Sequence, residues 1–226
     1  MAPTIVFITA AVRDQAHSTA QLLVRLPAAE SSRVIVVKYE AGIEQSAFDA
    51  VKEATNYDIS HLDIVVANAG IAKLYPLAKD VKWVDIVEHV DINVLNAVSL
   101  YQATHGLLQK STGNPIYAIM GSGAGGLAYV CSTLDTNEWL NAFVLDPGWV
   151  QTDMGNEAAR DWGLKEAPNT LENYITGMIE VLSTGTKEQY GGKFVLYSTQ
   201  VRSRSSNGWY GQMEMHRFQA KAGLFT

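Results

Sequence analysis

Residues 141–155 read NAFVLDPGWVQTDMG, and the order of these residues decides the fold. Ala142 to Leu145 is an apolar run of strand length, rich in strand formers. Pro147-Gly148 stops it, because proline lacks a backbone donor and glycine permits an unusual turn. Polar Gln151, Thr152 and Asp153 follow at once. In an open α/β sheet, ligands bind just beyond the carboxyl ends of the strands. A strand, a stop and a polar run in that order form the lip of such a site, although Pro-Gly alone is also an ordinary turn signal.

Outward from the lip the chain alternates strand and helix patterns. Thr4–Thr9 and Val34–Val37 are β-branched runs of the kind buried in parallel sheets, and His61–Gly70, Pro115–Met120 and Lys193–Tyr197 add three more strands. Glu44–Asn56 and Thr170–Leu182 have helical spacing, with Thr170 as a cap. Trp83–Lys110 is a long helical pattern whose apolar positions Val87, Val90, Val94, Ala97, Val98 and Tyr101 predict a wide buried face. Strands alternating with helices predict an α/β fold: a doubly wound, mostly parallel sheet of about six strands flanked by helices. Residues 1–199 form this domain; residues 200–226 change character, begin linker-like and read as a C-terminal extension.

At 226 residues the chain suits one domain with a sizeable core. The net charge of −6 argues against a nucleic-acid partner. Cys131 is the single cysteine, so no internal disulfide forms, which fits a reducing compartment. The apolar stretch from Ile5 to Val12 is too short to span a membrane and lacks a basic lead, so the expectation is a cytoplasmic protein with no membrane partner.

The segment Pro147–Met154, the strand ending Asn68-Ala69-Gly70, and Asn93 within the long helix occur in one order. Together they resemble the short-chain dehydrogenases/reductases. Asn137-Glu138-Trp139-Leu140 before the lip is similar to a fungal branch related to norsolorinic acid ketoreductases. The resemblance runs from about Thr4 to Ser198 and implies a Rossmann-type fold and an NAD(P)H-dependent ketoreductase acting on a small hydrophobic, polyketide-like ketone. It implies catalytic roles for Ser122 and Tyr129, with Asn93 holding a proton-relay water. On the cofactor side it implies Asn68, Gly70, Pro147, Gly148, Val150 and Thr152, with Arg13 favouring the 2′-phosphate of NADP and Glu40 near the adenine. A homodimer is implied through the long helix. Where the partner helix is shortened, either the tail residues Trp209, Tyr210 and Phe218 or a second subunit is expected to cover the uncovered apolar face. Arg13 and Glu40 also read as solvated charges, and Tyr129 as an aromatic packed under a loop.

Two parts of the family pattern are missing. The first glycine is Gly42, so the strand at Thr4–Thr9 is not followed by the glycine turn that cradles a pyrophosphate. Tyr129-Val130-Cys131-Ser132-Thr133 carries Thr133 where the family has the lysine that lowers the tyrosine pKa, and no lysine occurs between Lys110 and Lys165. Three readings follow: a ketoreductase with a rearranged site; a cofactor-independent cyclase, isomerase or dehydratase using Ser122, Tyr129 or Asp153; and a non-catalytic or mis-spliced homologue. Losing several charge-assisted hydrogen bonds, at about 1.5–3 kcal/mol each, takes a micromolar site to roughly millimolar or weaker. NADPH is therefore expected to bind no tighter than roughly millimolar, and a calorimetric titration giving a micromolar constant would contradict this.

Overall fold

A computed structural model describes residues 4–9, 33, 35–72, 79–121 and 138–202 of the chain. Arg13, Ser122, Tyr129, Thr133 and the tail from residue 203 lie outside the described residues. Five parallel strands run in sequence order across one sheet: β1 (Val6–Ile8), β2 (Ile64–Ala67), β3 (Ile116–Met120), β4 (Asn141–Asp146) and β5 (Phe194–Leu196). A two-residue β6 (Val201–Arg202) closes the far edge antiparallel to β5. The helices are α1 (Glu44–Thr55), α2 (Trp83–Val90), α3 (Asn96–Leu108), α4 (Asp153–Asp161), α5 (Leu171–Thr184) and α6 (Lys187–Tyr190).

Strand side chains alternate between two cores, as the pleat requires. On one face Val65, Ala67, Tyr117, Ile119, Ala142 and Val144 pack under α1 and α3. On the other, Val66, Ala118, Phe143, Leu145 and Val195 pack under α5. β3 and β4 pair along five residues, and all six residues of β4 are buried. A strand buried on both faces reads as a continuous apolar run, which is why the lip strand is so legible. The architecture is the Rossmann-type parallel sheet flanked by helices.

At the amino ends of the strands, Asp63 gathers the chain. Its carboxylate accepts from the Ile5 backbone N–H at 2.8 Å and from the Ser111 hydroxyl at 2.6 Å, with His61 Nε2 3.4 Å away. Helix starts are capped by side chains where the sequence allows. Thr170 Oγ1 accepts from Asn173 N at the start of α5, and Thr186 with Gln189 forms a reciprocal capping box on α6.

Two expectations are corrected. Ile35–Val37, the described part of the strand expected at Val34–Val37, is not a strand: residues 35–40 alternate inward and outward as extended chain does, yet pair with no strand among the described residues. Val36 is 82% exposed, while Tyr39 is buried and its hydroxyl donates to Asn96 Oδ1. β-branched composition encodes an extended, half-buried segment, and a ladder partner must come from elsewhere. The sixth strand is instead β6, within the stretch read as linker.

The long helix is also not uniform. A π-helical turn over Asp91–Leu95 joins α2 to α3. α3 buries Ala97, Leu100, Leu107 and Leu108, but α2 buries nothing: Val87 and Val90 are exposed beside Val84, Ile86 and a Trp83 that is 79% exposed. Among the described residues, no helix is long and apolar enough to cross a membrane.

Burial raises the Tyr39 pKa to about 12, outweighing the lowering effect of its Asn96 partner. The unfolded chain's phenol ionises near 10. The protonated form is thus favoured by folding, and the stability it contributes is complete below pH 10 and lost as pH rises through about 12. In alkaline chemical denaturation, Tyr39→Phe is expected to flatten the loss between those pH values by about 1–2 kcal/mol, a range that allows for screening.

Candidate functional site

The carboxyl ends of the parallel strands converge on three turns. After β1, Thr9 is 2% exposed and turns its hydroxyl toward β2. Thr9 Oγ1 accepts from the backbone N–H groups of Asn68 at 3.1 Å and Ala69 at 3.2 Å. The Asn68-Ala69-Gly70 turn is therefore held by Thr9, and the bridge at Asn68 runs through its main-chain N–H. Sequence reading passed over Thr9; the available signal was a hydroxyl residue closing a buried strand, where an unmet donor from the next strand must end.

Asn93 makes the second fixed point. Its Nδ2 donates to Ile71 O at 2.8 Å and its Oδ1 accepts from Ile71 N at 2.7 Å. The same Oδ1 lies 3.2 Å from where a Cβ on Gly70 would stand, so the turn rests directly on the amide. Asn93 sits in the π-helical turn, where the widened backbone brings this side chain against the β2 turn. Asn93, Asn68 and Gly70 are thus brought together.

The third turn is the lip. Asp146 is 5% exposed, and its Oδ1 accepts from Gly148 N at 2.8 Å, which shapes the Pro147-Gly148 stop. Gly148 takes a φ of +67°, in the left-handed region where glycine is favoured. Val150 is buried and forms a parallel bridge with Asn169. Thr152 caps α4 by accepting from Gly155 N at 3.0 Å, a role the sequence reading did not assign to it. The Trp149 indole N–H donates to Gly155 O at 2.8 Å, and its ring meets Trp162 edge-on at 5.9 Å.

Glu40 precedes α1. Its backbone N–H donates to Ser46 Oγ at 2.7 Å, and the residue is exposed. Next to its turn a cavity of about 300 Å³ opens between the start of α1 and α3, lined by Gly42, Ile43, Asn96 and Ser99 among others. A larger cavity of about 600 Å³ lies at the opposite pole, at the amino ends of β3 and β4 beside Trp139 and Asn141. That pole is remote from the three turns. The carboxyl ends of the strands carry a hydrogen-bonded lip after β4 and an amide-clamped turn after β2, with β3 between them. This arrangement suits a planar ligand edge that hydrogen-bonds the lip. Ser122 and Tyr129, the acid–base candidates, and Arg13 are outside the described residues.

No protein-family model matches the chain. The chain is 36% identical over 214 residues to the norsolorinic acid ketoreductase of Dothistroma septosporum, covering 84% of this chain and 80% of that one. It is 36% identical over 203 residues to the norsolorinic acid ketoreductase of Emericella nidulans, covering 80% and 77%. Among solved structures, an NADPH-bound carbonyl reductase from chicken fatty liver superposes with a TM-score of 0.71 at 21% identity, over 89% of this chain and 88% of that one. At that identity the likeness concerns the fold.

Asn93→Ala removes both bonds to Ile71 and leaves a half-buried N–H and carbonyl facing a void. The expected cost is about 2–4 kcal/mol, from two hydrogen bonds lost with their partners left unmet. Urea unfolding checks it, and a loss below about 0.5 kcal/mol would show that water replaces the amide without penalty.

Proposed function

Because the chain belongs to the short-chain dehydrogenase/reductase family, we propose that it is an NAD(P)H-dependent ketoreductase acting on a hydrophobic, polyketide-like aromatic ketone. The observation that carries this reading is the intact lip. Pro147–Thr152 is held at the carboxyl end of β4, on the same edge of the sheet as the Asn93-clamped turn after β2 and separated from it by β3. The substrate class follows from the 36% identity to norsolorinic acid ketoreductases over most of both chains.

At the nicotinamide end the residues fit the cofactor in part: a glycine turn without a side chain is followed by Val150, whose backbone N–H is not used by the Asn169 bonds, whereas the Thr152 N–H and carbonyl are engaged by Val150 O and Asn156 N. At the pyrophosphate end they fit poorly, since no glycine precedes Gly42. Bound there, a reduced nicotinamide supplies the hydride that turns a ketone into a secondary alcohol. Ser122 polarises the carbonyl oxygen in this reading, and Tyr129 gives it a proton. Asn93 supports the relay that reprotonates Tyr129. NADP over NAD rests on Arg13, and weak binding rests on the missing glycine turn. The exposed stripe on α2, with Trp83, Val84 and Ile86, is the surface a second copy of the chain covers.

The missing glycine turn and Thr133 favour a second reading, a cofactor-independent cyclase, isomerase or dehydratase in which Ser122, Tyr129 or Asp153 moves protons. The test incubates purified protein with an aromatic polyketide ketone, with and without NADPH. The expected outcome is alcohol formation that needs NADPH and rises through millimolar concentrations. Thr133→Lys alone leaves the rate at sub-millimolar NADPH within about threefold, because the added charge does not restore pyrophosphate binding. Substrate turnover without NADPH would select the second reading, and no turnover under either condition would reject both.

A further inference from the structure

We propose that Asn169, with Tyr197 behind it, is a positioning residue that sets where the nicotinamide lip stands. The proposal rests on the ketoreductase reading. Asn169 lies in the connection before α5, far along the chain from the lip, and no motif marks it. Its backbone N–H donates to Trp149 O at 3.0 Å, and its carbonyl accepts from Gln151 N at 2.8 Å. The chain is therefore pinned on both sides of Val150 by one residue.

The side chain completes the hold. A Cβ placed on Gly148 would stand 2.5 Å from Asn169 Nδ2 and 3.3 Å from the Tyr197 ring, so the lip glycine is seated between the two. The Tyr197 hydroxyl donates to Asn169 Oδ1 at 3.3 Å, which orients the amide with its nitrogen toward Gly148. Tyr197 is itself fixed, its backbone N–H donating to Asp146 O at 3.0 Å. Since Asp146 Oδ1 accepts from Gly148 N, the contacts form a closed ring through Asp146, Gly148, Asn169 and Tyr197. A closed ring has one geometry, and that geometry dictates the direction of the Val150 and Thr152 backbone groups. Displacing such a lip by about 1 Å costs as much as 100-fold in rate for a reaction that needs near-attack alignment.

The test compares the full-length protein with Asn169→Ala, Asn169→Asp, Gly148→Ala and the Gly148→Ala/Asn169→Gly pair. Hydrogen exchange at the Gln151 amide reads the latch with no cofactor present. NADPH titration and steady-state kinetics read its use. In Asn169→Ala, Gln151 exchange is expected to rise about tenfold while the melting temperature of the remaining core stays close to wild type. NADPH affinity and kcat are expected to fall about tenfold, with KM for the ketone changed far less. Asn169→Asp keeps the shape and the acceptor for Tyr197 and recovers most of the loss. Gly148→Ala disturbs the lip, and removing the opposing amide in the pair recovers part of it. Because Asn169→Ala keeps the main-chain bonds to Trp149 and Gln151, unchanged Gln151 exchange in it would show that the side chain does not help hold the lip and would overturn the proposal. Raised exchange with unchanged NADPH affinity and kcat would overturn its positioning role. If wild type neither binds nor uses NADPH at any concentration, the ketoreductase reading fails and takes the positioning role with it, while the exchange result still tells whether the latch exists.

Discussion

An amide on the inner side of a helix must satisfy a donor and an acceptor at once, and Asn93 does so on a single residue, Ile71. That paired bond fixes the distance between the long helix and the turn after β2. It also explains the helix's irregularity. A regular α-helix carries each successive side chain around by about 100°. The π-helical turn over Asp91–Leu95 absorbs the offset, so α3 can lay Leu100 and Leu107 on the sheet while Asn93 still reaches the turn. Gly70 has no side chain at the place where the amide oxygen comes within contact distance. Helix, turn and β2 register are thus one solution to one hydrogen-bonding requirement.

The parts legible in the sequence are those whose signal is local. β3 and β4 are buried on both faces and appear as unbroken apolar runs, and α1 and α5 appear by their spacing. The lip is legible because Pro147-Gly148 punctuates a strand. What escaped is what depends on a partner distant in the chain. Ile35–Val37 carries strand composition but finds no ladder among the described residues, and β6 is two residues that acquire strand character only by lying against β5. Thr9 and Asn169 are ordinary residues until the fold brings Asn68 and Gly148 to them. The stripe on α2 shows the converse: spacing predicts an apolar face, and burial depends on what lies opposite.

Function is therefore written unevenly over the site. The lip is over-determined: an Asx-type bond, a β-bridge and a helix cap hold it within the seven residues from Asp146 to Thr152. By contrast, no glycine precedes Gly42, so the sequence after β1 lacks the glycine turn whose backbone donors attract phosphate. Under the proposed function, such a lip orients a ligand once it is present, while the missing glycine turn limits its residence.

The antiparallel β6 has a consequence of another kind. A parallel sheet ends in a row of unpaired donors and acceptors, and such an edge templates the addition of another chain. Here Leu196 N donates to Gln200 O at 2.8 Å as the chain turns back, and Val201 and Arg202 then lie along the outer edge of β5. Those few residues act as a selvage, a woven margin that keeps the fabric from unravelling or catching on its neighbour. Trimming the polypeptide to its last parallel strand would remove no catalytic candidate from the sequence and yet bare the outer edge of β5 to the addition of another chain.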